Sequence, residues 1–74
     1  MIFSSFDECR IYVDKIITYA KSKDKTFTGF FDAKFNVSAI PYEIKKFFEE
    51  QFYTVTLHEC KQCGSYEMIF SWSK

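Results

Sequence analysis

Apolar side chains in this chain recur first at intervals of three and four and then at intervals of two, and no other feature constrains the fold as tightly. Phe6, Cys9, Val13, Ile16 and Ala20 share one stripe of a helix, widened by Ile17, while Arg10, Asp14, Lys15 and Lys21 fall elsewhere. Ser5-Phe-Asp-Glu8 has the form of a capping box, in which the serine hydroxyl accepts from the third helical amide and the glutamate reaches back. The spacing predicts a helix from about residue 6 to 22 that ends in Lys21-Ser-Lys-Asp-Lys25, whose cations suit the negative end of the helix dipole.

From Phe27 to Val37 the period is two, the signature of a half-buried strand. Phe27, Gly29, Phe31, Ala33, Phe35 and Val37 are expected to face the core, with Thr28, Phe30, Asp32, Lys34 and Asn36 outside. Gly29 leaves room for a close neighbour or marks a bulge. Ser38 is placed to cap a second helix, and Pro41 falls in its first turn, where a missing backbone donor costs nothing. Ile40, Ile44, Phe47 and Phe48 form that helix's buried stripe, with Phe52 at its end, and Glu43, Lys45, Lys46, Glu49 and Glu50 form its wet face.

The remainder reads as a hairpin. Tyr53, Val55 and Leu57 alternate with Thr54, Thr56 and His58; Tyr66, Met68, Phe70 and Trp72 alternate with Glu67, Ile69 and Ser71. Cys60-Lys-Gln-Cys-Gly-Ser65 is the connecting turn, with Gly64 supplying a positive φ. The element order is thus α-β-α-β-β, an α+β chain in one domain over residues 1–74, with no repeat or linker. Two helices on one face of a three-stranded, mostly antiparallel sheet satisfy every apolar face at once in a two-layer sandwich. The last strand is the most apolar and belongs at the centre, giving the order 1-3-2, although a parallel arrangement buries the same faces.

A chain of this length buries only roughly 60 to 65% of its unfolded surface, so its core is thin. Ten Phe, five Tyr and one Trp, 22% of the residues, compensate. So small a body cannot bury all these rings, and those left outside are candidates for partner contact or for a homo-oligomer. Ten basic and ten acidic side chains cancel, which argues against nonspecific binding to nucleic acid and against an acidic DNA mimic. No apolar run reaches the ~18 residues of a membrane span, and Met-Ile-Phe-Ser-Ser lacks the character of a signal peptide, so a cytoplasmic chain without membrane association is expected. Three cysteines then read as free thiols or metal ligands rather than as a disulfide framework.

His58-Glu-Cys60-Lys-Gln-Cys63-Gly64 is the strongest chemical lead. Two thiolates two residues apart can chelate one tetrahedral zinc ion, and His58 shares a strand face with Cys60. A fourth ligand is missing, and Cys9 sits on the buried helix stripe. Three readings of this segment stand side by side: an ordinary hairpin turn with reduced thiols and no cofactor, a zinc site on His58, Cys60 and Cys63, and a redox pair. A redox pair of the thioredoxin kind would lie at a helix N-terminus, not in a hairpin. A Cys/His dyad here has neither cleft nor orienting carboxylate except Glu67, so no enzyme activity is expected.

The outer sheet face offers Phe30 and Ile69 among polar residues, including Lys34 and Thr56. If they adjoin across paired strands, they form the apolar centre of a polar-rimmed protein interface. Stacking of single-stranded nucleic acid would use a similar face, but Lys34 is its sole cation.

The stretch Ile40-Pro-Tyr-Glu-Ile-Lys-Lys-Phe-Phe-Glu-Glu-Gln-Phe-Tyr53, followed by Thr54-Val-Thr-Leu57 and Tyr66-Glu-Met-Ile-Phe-Ser-Trp72, resembles the helix-plus-hairpin tail of small accessory proteins of tailed bacteriophages. The resemblance covers the C-terminal half; the cysteine-bearing turn departs from it. It implies a non-enzymatic protein-binding module that modulates a host or phage protein, acting in the host cytoplasm. The alternatives are a zinc-stabilised domain that binds nucleic acid and a homo-oligomeric structural component.

Overall fold

The serine at the start of the first apolar stripe does what its position requires. Ser5 is extended, and its hydroxyl accepts from the Glu8 amide at 3.1 Å, while the Glu8 carboxylate accepts from the Ser4 amide at 2.7 Å. The computed structural model describes residues 1–72; the last two positions of the domain expected over 1–74 lie outside the described residues. Its elements are β1 (Ile2–Phe3), α1 (Phe6–Ser22), β2 (Phe27–Phe35), α2 (Ile40–Glu49), β3 (Thr54–Cys60) and β4 (Ser65–Ser71). On α1 the buried residues are Cys9, Val13, Ile17 and Ala20, so the stripe centres on Ile17, with Phe6 and Ile16 half-buried beside it. The helix closes in a Schellman turn: the Lys25 amide donates to the Ala20 carbonyl at 3.0 Å and the Asp24 amide to the Lys21 carbonyl at 3.1 Å. Asp24 takes the left-handed position, φ +59, which a short polar side chain tolerates.

β2 departs from strict alternation. Phe30 pairs with Met68 and Ala33 with Tyr66, so three steps along β2 match two along β4. The extra residue makes a bulge at Phe31–Asp32, with Asp32 at φ +59, and the inward and outward sets change places across it. Phe30 and Ala33 both point into the core, while Phe27 and Phe31 are 58% and 67% exposed. The expected facing is thus reversed before the bulge and correct after it, where Ala33 is buried and Phe35 half-buried. The strand stops at Phe35, which leaves Val37 in the following turn, exposed.

Gly29 lies on the outer face opposite Ile69, and its space is taken by that neighbouring strand. A Cβ there would overlap the Met68 carbonyl oxygen and come within 2.7 Å of Ile69 Cδ1. The carbonyl belongs to the β2–β4 ladder and cannot swing aside alone. Gly29→Ala should therefore lower stability by about 2 kcal/mol, on the scale of overpacking. A urea midpoint equal to wild type would show that the ladder yields freely.

Two expectations for α2 need correction. Ser38 does not cap it: Ala39 occupies the N-cap position with helical backbone and no side chain caps the helix, because the chain enters through a turn in which the Ile40 amide donates to the Val37 carbonyl at 3.1 Å. Pro41 does lie in the first turn, and Ile40, Pro41, Ile44 and Phe48 are buried. Phe52 does not extend the stripe but is 94% exposed, because the chain reverses there with Phe52 at φ +71. The Tyr53 amide donates to the Phe48 carbonyl at 3.1 Å and the Phe52 amide to the Glu49 carbonyl at 3.0 Å, and the Tyr53 ring packs on Phe48 with centroids 5.8 Å apart. This is again a Schellman closure, with phenylalanine where glycine is favoured. Phe52→Gly removes a left-handed Cβ and forfeits almost no burial, and the gain outweighs the added freedom of the unfolded chain. It should raise stability by about 1 kcal/mol; a variant that unfolds at lower urea than wild type would refute this.

The sheet order is β1-β2-β4-β3, with β2 and β3 both antiparallel to β4. The three long strands take the order expected for them, but the sheet has four strands and is mixed. Ile2 and Phe3 run parallel to β2 opposite Lys34 and Phe35, held by the Lys34 amide on the Met1 carbonyl at 2.9 Å and the Asn36 amide on the Phe3 carbonyl at 3.0 Å. A strand of two residues has no period to read. Phe3 is buried against Tyr12, Phe30 and Phe35, at centroid distances of 5.5, 5.7 and 5.5 Å. Cys9, Val13 and Ile17 of α1 and Ile40, Ile44 and Phe48 of α2 join Phe30, Ala33, Val55, Met68 and Phe70 in one cluster, so both helices cover one face of the sheet and leave the other open. At one end Lys21 ties the layers together: its ammonium donates to the Tyr53 hydroxyl at 2.9 Å and lies 5.1 Å and 5.5 Å from the Tyr53 and Trp72 ring centroids.

Candidate interface and hairpin disulfide

The open face is assembled by register. Thr54, Ser71 and Phe27 form one row across β3, β4 and β2; Thr56, Ile69 and Gly29 form the next; His58 and Glu67 face each other beyond, beside the bulge. Phe27, paired with Ser71, is a diagonal neighbour of Ile69 within reach of an aromatic ring, and Phe31 follows Phe30 at the start of the bulge, two residues beyond Gly29 and exposed. With no Cβ at Gly29, Ile69 packs flat over the backbone between them. The result is an apolar strip of Phe27, Ile69 and Phe31, with Ile2 exposed at the β1 edge of the same face, rimmed by Lys34, Thr56, His58 and Glu67.

Of the four residues the sequence singled out for an interface, Ile69, Lys34 and Thr56 share this face. Phe30 does not. It is 4% exposed and packs against Phe3, Tyr12 and Phe70 at 5.7, 5.9 and 6.2 Å, because the bulge turns it inward. Its place outside is taken by Phe27 and Phe31, which alternation alone put in the core. The available signal was an aspartate inside an apolar strand, at the position where the bulge forms.

The other lead changes chemically. Cys60 and Cys63 form a disulfide across the β3–β4 turn, which corrects the expectation of free thiols at these positions. Bonded to each other, the sulfurs are not the two thiolates that a zinc site on His58, Cys60 and Cys63 requires, and no cluster of three metal-ligating side chains forms among the described residues. The turn itself is as expected, with Gly64 at φ +67 and its amide donating to the Cys60 carbonyl at 2.8 Å. The Ser65 hydroxyl donates to Cys63 Sγ at 3.4 Å. A shallow pocket of about 180 Å³ opens beside the bridge, lined by both sulfurs' residues together with Asp32, His58, Ser65 and Glu67. Cys9 stays free and fully buried in α1, and desolvation, with the Glu8 carboxylate adding to it, pushes its thiol up from the usual 9.0 to about 12.

Two broader depressions lie along α1 and at the α1–β2 turn, and neither contains a histidine or a cysteine. No helix among the described residues is long and apolar enough to cross a membrane. No family model matches the chain, and comparison with curated proteins and with solved structures gives no match either.

Proposed function

We propose that this chain is a non-enzymatic protein-binding module that docks through the open face of its sheet. The observation that carries the reading is the strip of Phe27, Ile69 and Phe31. Isolated surface apolars are ordinary, but here two phenylalanines more than half exposed flank an isoleucine on one uncovered face with a polar rim. A few residues carry most of the energy of a protein interface, and aromatic side chains, phenylalanine among them, are enriched there. The charges around the strip are mixed in sign, with Lys34 the cation against Asp32 and Glu67, which suits a protein surface better than a polyanion. The resemblance of the C-terminal half to phage accessory proteins supplies the class of partner, a host or phage protein.

The test compares Phe31→Asp with Phe52→Asp, an equally drastic change at an exposed ring in the α2–β3 connection. A partner captured by wild type is purified and its affinity measured. Phe31→Asp should weaken it at least roughly 30-fold, the effect of losing about 2 kcal/mol, while Phe52→Asp binds normally. Equal binding by Phe31→Asp overturns the face as the docking site. Self-association in sedimentation that Phe31→Asp abolishes would instead make a second copy the occupant, and the homo-oligomeric reading would replace this one.

A further inference from the structure

We infer that the Cys60–Cys63 bridge is a thiol–disulfide exchange site, at which Cys63 is the sulfur attacked by a glutathione-type monothiol. The first ground is how little the bridge holds. It spans three positions in a turn already closed by the Gly64 amide on the Cys60 carbonyl and by pairing of Cys60 with Ser65. The constraint a disulfide puts on the unfolded chain shrinks with the loop it closes, so a bridge this short contributes little to stability.

The second ground is access. Cys63 is exposed and Cys60 half-buried at the tip of the hairpin, and the adjoining pocket leaves room for an incoming thiolate. Exchange requires a sulfur that can be approached in line, and burial withholds it. Cys9 is the internal contrast: fully buried, with its thiol held protonated, it takes no part.

The third ground is the Ser65 hydroxyl. Ser65 is itself buried, and its hydroxyl is directed at Cys63 Sγ. That hydrogen bond strengthens as charge builds on the sulfur, so it assists the second step of the exchange, in which Cys63 leaves the mixed disulfide with the electron pair. His58, two residues before Cys60 on the same face, lines the pocket beside the bridge.

The step balances as follows. The monothiol's thiolate attacks Cys63 Sγ; the bond between the two protein sulfurs breaks and Cys60 leaves with the electron pair, to be protonated. A second monothiol attacks the mixed disulfide at the small molecule's sulfur and releases Cys63 as a thiolate. Overall the protein disulfide and two monothiols become the protein dithiol and one small-molecule disulfide, a two-electron reduction of the protein. The reverse sequence re-forms the bridge.

The experiment equilibrates wild-type protein in glutathione buffers, from fully oxidised to roughly a hundredfold excess of the reduced form, and alkylates the native protein before mass spectrometry. Cys60 and Cys63 should become alkylated together in a single transition, with Cys9 unlabelled and the circular dichroism spectrum unchanged. A bridge that resists the most reducing buffer, or a fold that collapses when it opens, would make it a structural staple and overturn the assignment. The attacked sulfur is identified with single variants and oxidised glutathione. Cys60→Ser, which leaves Cys63, should form the mixed disulfide roughly tenfold faster than Cys63→Ser; equal rates would remove Cys63 from its role.

Discussion

Phe30→Asp is expected to leave the chain unfolded at room temperature, whereas the same substitution one residue later, Phe31→Asp, shifts the urea midpoint hardly at all. The two phenylalanines are chemically identical neighbours on one strand, 4% and 67% exposed. At Phe30 the substitution removes a ring in contact with Phe3, Tyr12 and Phe70, at a cost of about 3–5 kcal/mol. It also places a carboxylate among apolar side chains with no partner, which adds several kcal/mol or forces the group to stay protonated. Small domains hold about 5–15 kcal/mol in all, and a chain this short sits toward the low end. At Phe31 the carboxylate meets water, and surface changes of this kind stay within about 0.5 kcal/mol. Far-ultraviolet circular dichroism with urea titration separates the cases. A folded Phe30→Asp, or an unfolded Phe31→Asp, would mean that the bulge is misplaced and with it the whole docking face.

That pair of residues also marks where sequence reasoning reaches its limit. The first helix was legible because its signals are redundant: Ser5 and Glu8 mark the start of α1 and the stripe from Cys9 to Ala20 its extent. The facing of the hairpin strands was legible too, since Val55 and Leu57 alternate with Thr54, Thr56 and His58, and Tyr66, Met68 and Phe70 alternate with Glu67 and Ser71, with Ile69 the one apolar residue of the outer set. The first long strand carries phenylalanine at both Phe30 and Phe31, so its pattern satisfies either facing, and a bulge that costs one residue cannot be seen in a period of two. Asp32 and Phe52 owe their placement to left-handed backbone, a property that propensity assigns first to glycine. The two-residue strand β1 exists because Lys34 and Asn36 offer amides to it, a long-range pairing with no local signature. For the candidate interface, Ile69, Lys34 and Thr56 were found because they sit on unambiguous alternation or beyond the bulge. Phe27 and Phe31 were missed for the same reason that Phe30 was misplaced. The cysteine spacing was seen, but whether two nearby thiols are joined is a matter of geometry and redox state, which spacing does not encode.

Phe48→Ala should be the most destabilising truncation on the helical layer. Phe48 is the point at which α2 meets the sheet: its ring lies 5.1 Å from Phe47, 5.8 Å from Tyr53 and 5.4 Å from Phe70, and is all but fully buried. The contacts with Tyr53 and Phe70 are edge-on, so their loss exceeds that of the apolar area alone. Truncation leaves a cavity between two rigid elements, and the Schellman closure that fixes Tyr53 over Phe48 prevents the chain from collapsing into it. The cost should be about 4 kcal/mol, enough to remove most of the stability of a domain this small, with near-ultraviolet circular dichroism lost before far-ultraviolet signal. Phe48→Leu keeps most of the volume and should cost less than half as much. The comparison distinguishes cavity formation from loss of the ring stack. If leucine is as damaging as alanine, the edge-on contacts rather than the filled volume hold α2 to the sheet. If alanine costs less than about 1 kcal/mol, α2 is anchored elsewhere and Phe48 is not its keystone.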